Sequence, residues 1–95
     1  MKFEWDREKE KINIKKHGIS FSDAKTVFND PLQLSIPDEF HSEHEERWIT
    51  VGMMKIRKVV VVVHTYRDMK NEEIIRIISA RSATPKEKRQ YMNGY

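Results

Sequence analysis

Two arginines sit where strand-forming residues crowd them. The stretch IIRIISARSAT, Ile74 to Thr84, holds Arg76 among isoleucines and places Arg81 two residues after Ser79. A buried, unpaired guanidinium is costly, so each must meet an anion: a carboxylate of the chain or a ligand. Arg67 ends the preceding apolar run and Arg47 opens an earlier one, which gathers guanidinium groups near strand ends. Arginine pairs bidentately with phosphate, keeps its charge at any working pH and stabilises the charge that builds up in phosphoryl transfer. In NIKKHGIS, Asn13, Lys16 and His17 fall at i, i+3 and i+4 and share one helix face. Alone, Lys16 and His17 would only complement the negative end of the helix dipole. Beside the arginines they would supply acid–base groups.

Other candidates are weighed the same way. Glu46 is either a general base or a surface carboxylate beside Arg47, and Glu46, Asp68 or another acid could give Arg76 an internal partner. Trp48 reads as core rather than as a base-stacking platform. His41 and His44 stand in HSEHEE, which is not HExxH, and no third ligand follows at a recognised spacing. No metal site and no cofactor are therefore expected. Strand parity sets His64 and Tyr66 on one face, Thr65 and Arg67 on the other, and turns Ser79 and Arg81 away from Arg76 unless a bulge intervenes.

The elements that must position these groups fit one domain, residues 1–95. With 38% hydrophobic and 35% charged residues, the core has to come from a few apolar segments. A net charge of +3 is a mild bias toward anionic partners. The absence of cysteine excludes disulfides and thiolate chemistry and fits a cytoplasmic protein. No apolar run is long enough to span a bilayer, and the polar start, MKFEWDREKEK, is unlike a secretory signal.

Phe3 and Trp5 alternate with polar neighbours, as in a short opening strand. Asp6 caps a very polar helix over 7–17 that stops at Gly18. Ser20 starts a second helix, whose Phe21, Ala24, Val27 and Phe28 share a face until Asn29-Asp30-Pro31 ends it. Strands are predicted over 32–36, 47–51, 58–66 and 73–80. The second ends in a turn at 52–55, the third holds five consecutive valines, and 68–71 forms the last turn. Pro85 then opens a final helix running to about Asn93. The fold class is α+β. Its sheet is a four-stranded antiparallel meander with the short opening strand beside it, two N-terminal helices, one C-terminal helix, and helices mainly on one face.

The combination FEWD, NIKKHGISF, VFNDP, EERW and IRIISARSATPKE resembles, over almost the whole chain, the BrnT family of toxins. These are small ribonucleases of bacterial type II toxin–antitoxin pairs, with a fold similar to RelE-type mRNA interferases. The resemblance implies metal-independent RNA cleavage by 2′-hydroxyl attack, which inhibits translation and growth. Its catalytic set would be Lys16, His17, Glu46, Arg67, Arg76 and Arg81, with Arg47 and Tyr91 touching RNA. By chemistry, His17 or Glu46 would take the 2′-hydroxyl proton, and a protonated His17 or Lys16 would assist the leaving oxygen. The arginines would hold the scissile phosphate. The implied partner is a BrnA-like antitoxin with a ribbon-helix-helix domain, whose dimer brings two toxin chains into one complex. This chain alone would not bind DNA.

Two other readings compete on the residues alone. One is a nucleic-acid-binding module without catalysis, its two helices joined at KHG imitating a helix-turn-helix. The polar first helix lacks the apolar face that motif must bury. The other is a structural partner protein whose charges are only solvated faces.

Overall fold

The valine run forms the centre of the sheet. In the computed structural model, which describes residues 1–41 and 46–94, strand β4 (Val59–Met69) lies between β3 (Arg47–Met53) and β5 (Glu72–Ser82). β2 (Leu34–Asp38) adds one edge and β1 (Lys2–Glu4) the other, in the order β1-β5-β4-β3-β2. The four later strands meander antiparallel as expected, but the sheet is five-stranded and mixed, because β1 pairs parallel with β5. That position sets Phe3 beside Ile75 and brings its ring to 5.5 Å from that of Phe28, so the opening strand joins the core instead of standing apart.

Turn chemistry moves two boundaries. Lys70 and Asn71, with φ of 50° and 66°, make a two-residue connection, so β4 and β5 pair as far as Met69 and Glu72. The turn expected over 68–71 is thus tighter and the strands longer. Gly52 stays in β3 rather than starting the turn. A Cβ there would stand 3.1 Å from that of Val27, so glycine lets the helical segment press against the sheet.

Asp6 accepts hydrogen bonds from the N–H groups of Glu8 and Lys9 to start helix α1 (Arg7–His17), and Gly18, at φ 71°, ends it. Asn13 is the buried residue of this helix. Its amide donates to the carbonyls of Ile19 and Ala80, both at 2.9 Å, and accepts from the Ala80 N–H at 3.1 Å. β1 pairs with Ile74–Arg76 of β5, and Asn13 satisfies the same strand further along. Polar bonds, not an apolar stripe, hold α1 to the sheet.

Helix α2 (Phe21–Ala24) runs into a 3₁₀ turn, Lys25–Asn29. Phe21, Ala24, Val27 and Phe28 pack there on Val60, Val62, Ile75 and Ile77. Helix α3 (Pro85–Met92), started by the Thr84–Glu87 capping box, lies on the opposite face. Its Tyr91 packs with Val59, Val61 and Ala83. Helices therefore occupy both faces, not mainly one. α3 is short: its 8 residues extend about 12 Å, whereas the 11 residues of β4 extend about 36 Å. Among the described residues no helix lies over the far half of that face.

His64 lies on the α2 side, fully buried, edge-on to the rings of Phe28 and Tyr66 at centroid distances of 4.8 and 4.9 Å. Its Nε2 is 2.6 Å from Thr50 Oγ1, which is 2.7 Å from Ser35 Oγ. Burial pushes the imidazole down from its ordinary 6.5 to about 4. Between those values the unfolded chain binds a proton that the folded chain does not, so stability falls as pH drops from 6.5 to 4, by up to about 3 kcal/mol. Urea denaturation at pH 7 and pH 4 should show this loss in the parent chain and much less of it in His64→Leu. Equal losses in both would remove His64 as the cause.

Candidate functional site on the open face

The half of that face beyond α3 carries a row of polar side chains, one per strand. Asp38, Arg47, Thr65, Arg76 and Glu4 are direct neighbours across β2, β3, β4, β5 and β1. Side chains opposite one another share a face, so all five project from the side that α3 leaves open. Arg67 follows on the same face two residues beyond Thr65.

Glu4 organises one end of the row. Its Oε1 accepts from Arg67 Nη2 and lies 3.5 Å from Arg76 Nη1. The anion demanded by Arg76 among its isoleucines is thus a carboxylate of the chain, but neither Glu46 nor Asp68. All three side chains remain part-exposed, so the contact is open to exchange with solvent and solutes. Arg47 is engaged within the chain and half-buried. Thr65 is 2% exposed, and its hydroxyl has no hydrogen-bond partner among the described residues. An unmet buried hydroxyl costs about 1–3 kcal/mol.

Arg81 would face away from Arg76 by simple alternation, yet it shares the open face. The pairing steps from His64–Ile77 to Val63–Ser79, which leaves Ile78 as an extra residue and restores the parity. Arg81 forks onto Glu87, with Nη1–Oε1 at 2.8 Å and Nη2–Oε2 at 2.9 Å. The Arg81 hydrogen bonds, helped by the Thr84 N–H and working against burial, hold the Glu87 carboxyl down at about 2. Arg81 is therefore built into the start of α3.

Lys16 and His17 line a cleft of about 200 Å³ with Asn13, Ile78 and Ser79. Ser79 is three residues from Arg76 on β5, about 10 Å along a strand. Glu46 is exposed just ahead of β3, next to Arg47. Tyr91 was expected to touch RNA, but it is buried and its hydroxyl donates to Asp30 at 2.5 Å. Burial, reinforced by Asp30, pushes the phenol up to about 12. In this arrangement the ring packs α3 to the sheet and is not free to stack on a base. His44 lies outside the described residues, as does the side chain of His41. Among the described residues no group of three His, Cys, Asp or Glu is placed to hold a metal ion.

Sequence reasoning missed Glu4, Thr65 and Glu87. Parity already put Thr65 on the face of Arg67. Glu4 needed the β1–β5 register, which the chain order does not disclose.

The sequence profile of a family described as the ribonuclease toxin, BrnT, of type II toxin–antitoxin systems matches residues 5–87. The chain belongs to this family. Among solved structures, that of the Brucella abortus ribonuclease toxin, BrnT, is similar, with a TM-score of 0.65 and 26% identity over 88% of this chain and 97% of that one. Among curated protein sequences no significant match is found.

Glu4→Gln removes the shared carboxylate and leaves two guanidinium groups together. Part-exposed pairs contribute about 0–1 kcal/mol, so the thermal midpoint should move by only a few degrees. Affinity for a 2′-O-methyl RNA oligonucleotide should rise and fall more steeply with salt. Thermal denaturation and binding titrations at two salt concentrations check both expectations. A collapse of stability would make the triad structural.

Proposed function

We propose that this chain is a metal-independent endoribonuclease whose scissile phosphate binds on the open face, between Arg67 and Arg76. The observation that carries the reading is the seat of Glu4: one carboxylate oxygen between two part-exposed guanidinium groups. That geometry suits a phosphate oxygen as well as a carboxylate, and a phosphate offers the arginines more negative charge and more acceptors. RNA displaces Glu4 from Arg76 when it binds.

The 2′-oxygen attacks phosphorus, a P–O2′ bond forms and the P–O5′ bond breaks. His17 or Glu46 takes the proton from the 2′-hydroxyl. A protonated His17 or Lys16 gives one to the departing 5′-oxygen, leaving a 2′,3′-cyclic phosphate and a 5′-hydroxyl. Arg67 and Arg76 stabilise the pentavalent transition state, with Arg47 on the neighbouring strand reaching a further non-bridging oxygen of the same phosphate. Arg81, occupied by Glu87, keeps α3 in place. In the cell this activity would cut RNA in the cytoplasm and halt translation and growth. None of the helices among the described residues is long and apolar enough to cross a membrane.

An antitoxin with a ribbon-helix-helix domain neutralises the enzyme, its dimer holding two toxin chains. The shape of the face supports this. A cleft of about 250 Å³ beside α3 is lined by Leu34, Ile36, Ile49 and Val51 together with Arg81 and Glu87. An inhibitory segment could bury apolar side chains there while its acids reach the arginine row.

Arg76→Ala should lower the RNA cleavage rate about a hundredfold, the scale expected for losing one transition-state donor. Cleavage by the parent chain should persist in excess EDTA and leave cyclic phosphate or 3′-phosphate ends. RNA digestion with end-group analysis measures all of this. Activity restored only by magnesium or manganese would contradict the mechanism.

A further inference from the structure

The geometry assigns Thr65 as a direct ligand of the bound phosphate, its hydroxyl donating to a non-bridging oxygen between Arg47 and Arg76. The inference rests on the open face being the RNA site and adds a residue that no motif points to. Three observations carry it. Thr65 is the middle member of the five-residue row, with an arginine directly opposite it on each neighbouring strand. Opposed side chains in a sheet have Cβ atoms about 4.5–5.5 Å apart, so one tetrahedral anion can reach all three. Its Oγ1 is one of two buried side-chain polar atoms without a hydrogen-bond partner among the described residues. The other, His64 Nδ1, belongs to the opposite face.

The third observation is the local sequence. β4 begins with five valines, and valine has the shape of threonine without its hydroxyl. For packing alone, valine at position 65 would fill the same space and strand no polar group. Among the described residues nothing uses the hydroxyl, which leaves it for a ligand. Thr65 is 2% exposed, so the phosphate reaches its hydroxyl as the flanking side chains turn toward the anion. Thr65 then supplies a short, rigid donor, held on a central strand with both neighbours paired. The flexible arginines bring charge, and Thr65 fixes where the oxygen sits.

The test compares Thr65→Val, Thr65→Ser and Arg76→Ala, each measured for kcat, KM, thermal midpoint and affinity for a 2′-O-methyl RNA oligonucleotide. Thr65→Val should fold with an unchanged or higher midpoint and lose about tenfold or more in kcat, with weaker oligonucleotide binding. Thr65→Ser should restore most of the activity. Full activity in Thr65→Val with Arg76→Ala inactive would overturn the role of Thr65 and leave the site intact. Full activity in both would overturn the site itself. A marked drop in the midpoint of Thr65→Val, restored by Thr65→Ser, would show that the fold already uses the hydroxyl, and would also overturn the inference.

Discussion

The structure turns on a mismatch of length between one helix and the strands beneath it. α3 has 8 residues and covers the end of the sheet where Val59 and Val61 meet Tyr91. β4 and β5, with 11 residues each, run well past it. Beyond the helix, β4 and β5 present the part-exposed Arg67 and Arg76 beside a buried Thr65, and β3 adds a half-buried Arg47. The opposite face has no such gap, because the segment from Phe21 to Phe28 packs on Val60, Val62, Ile75 and Ile77. One sheet thus has a dry side that holds the fold and a half-open side free for chemistry.

Charge on that open side is balanced within the chain. Glu4 serves Arg67 and Arg76, and Glu87 serves Arg81, but the two arrangements differ in kind. Arg81–Glu87 is a forked pair tied into a helix cap, so breaking it disturbs α3. Glu4 sits on a three-residue edge strand and offers one oxygen to two donors. The second contact is the one an incoming anion can replace at small cost, since part-exposed ion pairs contribute little to stability. A site already occupied by its own acid is also kept from attracting anions indiscriminately.

Much of this was legible in the sequence wherever local chemistry decides. Asp6 and Gly18 bound α1 as capping rules predict, the valine run became the central strand, and Thr84-Pro85 opened α3. The resemblance carried by NIKKHGISF and IRIISARSAT agrees with the family match over residues 5–87. What could not be read depended on contacts between distant residues. The place of β1 beside β5 follows from Phe3 finding Phe28. The common face of Arg76 and Arg81 follows from one extra residue at Ile78, which alternation cannot foresee. Tyr91, which the resemblance implied would touch RNA, is instead buried with its hydroxyl on Asp30, 61 residues away.

The central claim is that RNA phosphate binds between Arg67 and Arg76 and takes the place of Glu4 at Arg76. An NMR titration of the full chain with a 2′-O-methyl RNA oligonucleotide, observed at the arginine Nε–H groups, tests it directly. The account predicts saturable shifts at Arg67 and Arg76, a matching change at the Glu4 carboxyl carbon, and little change at Arg81, which keeps Glu87. Shifts confined to the α2 face, or to α1 with Arg67 and Arg76 unmoved, would contradict it.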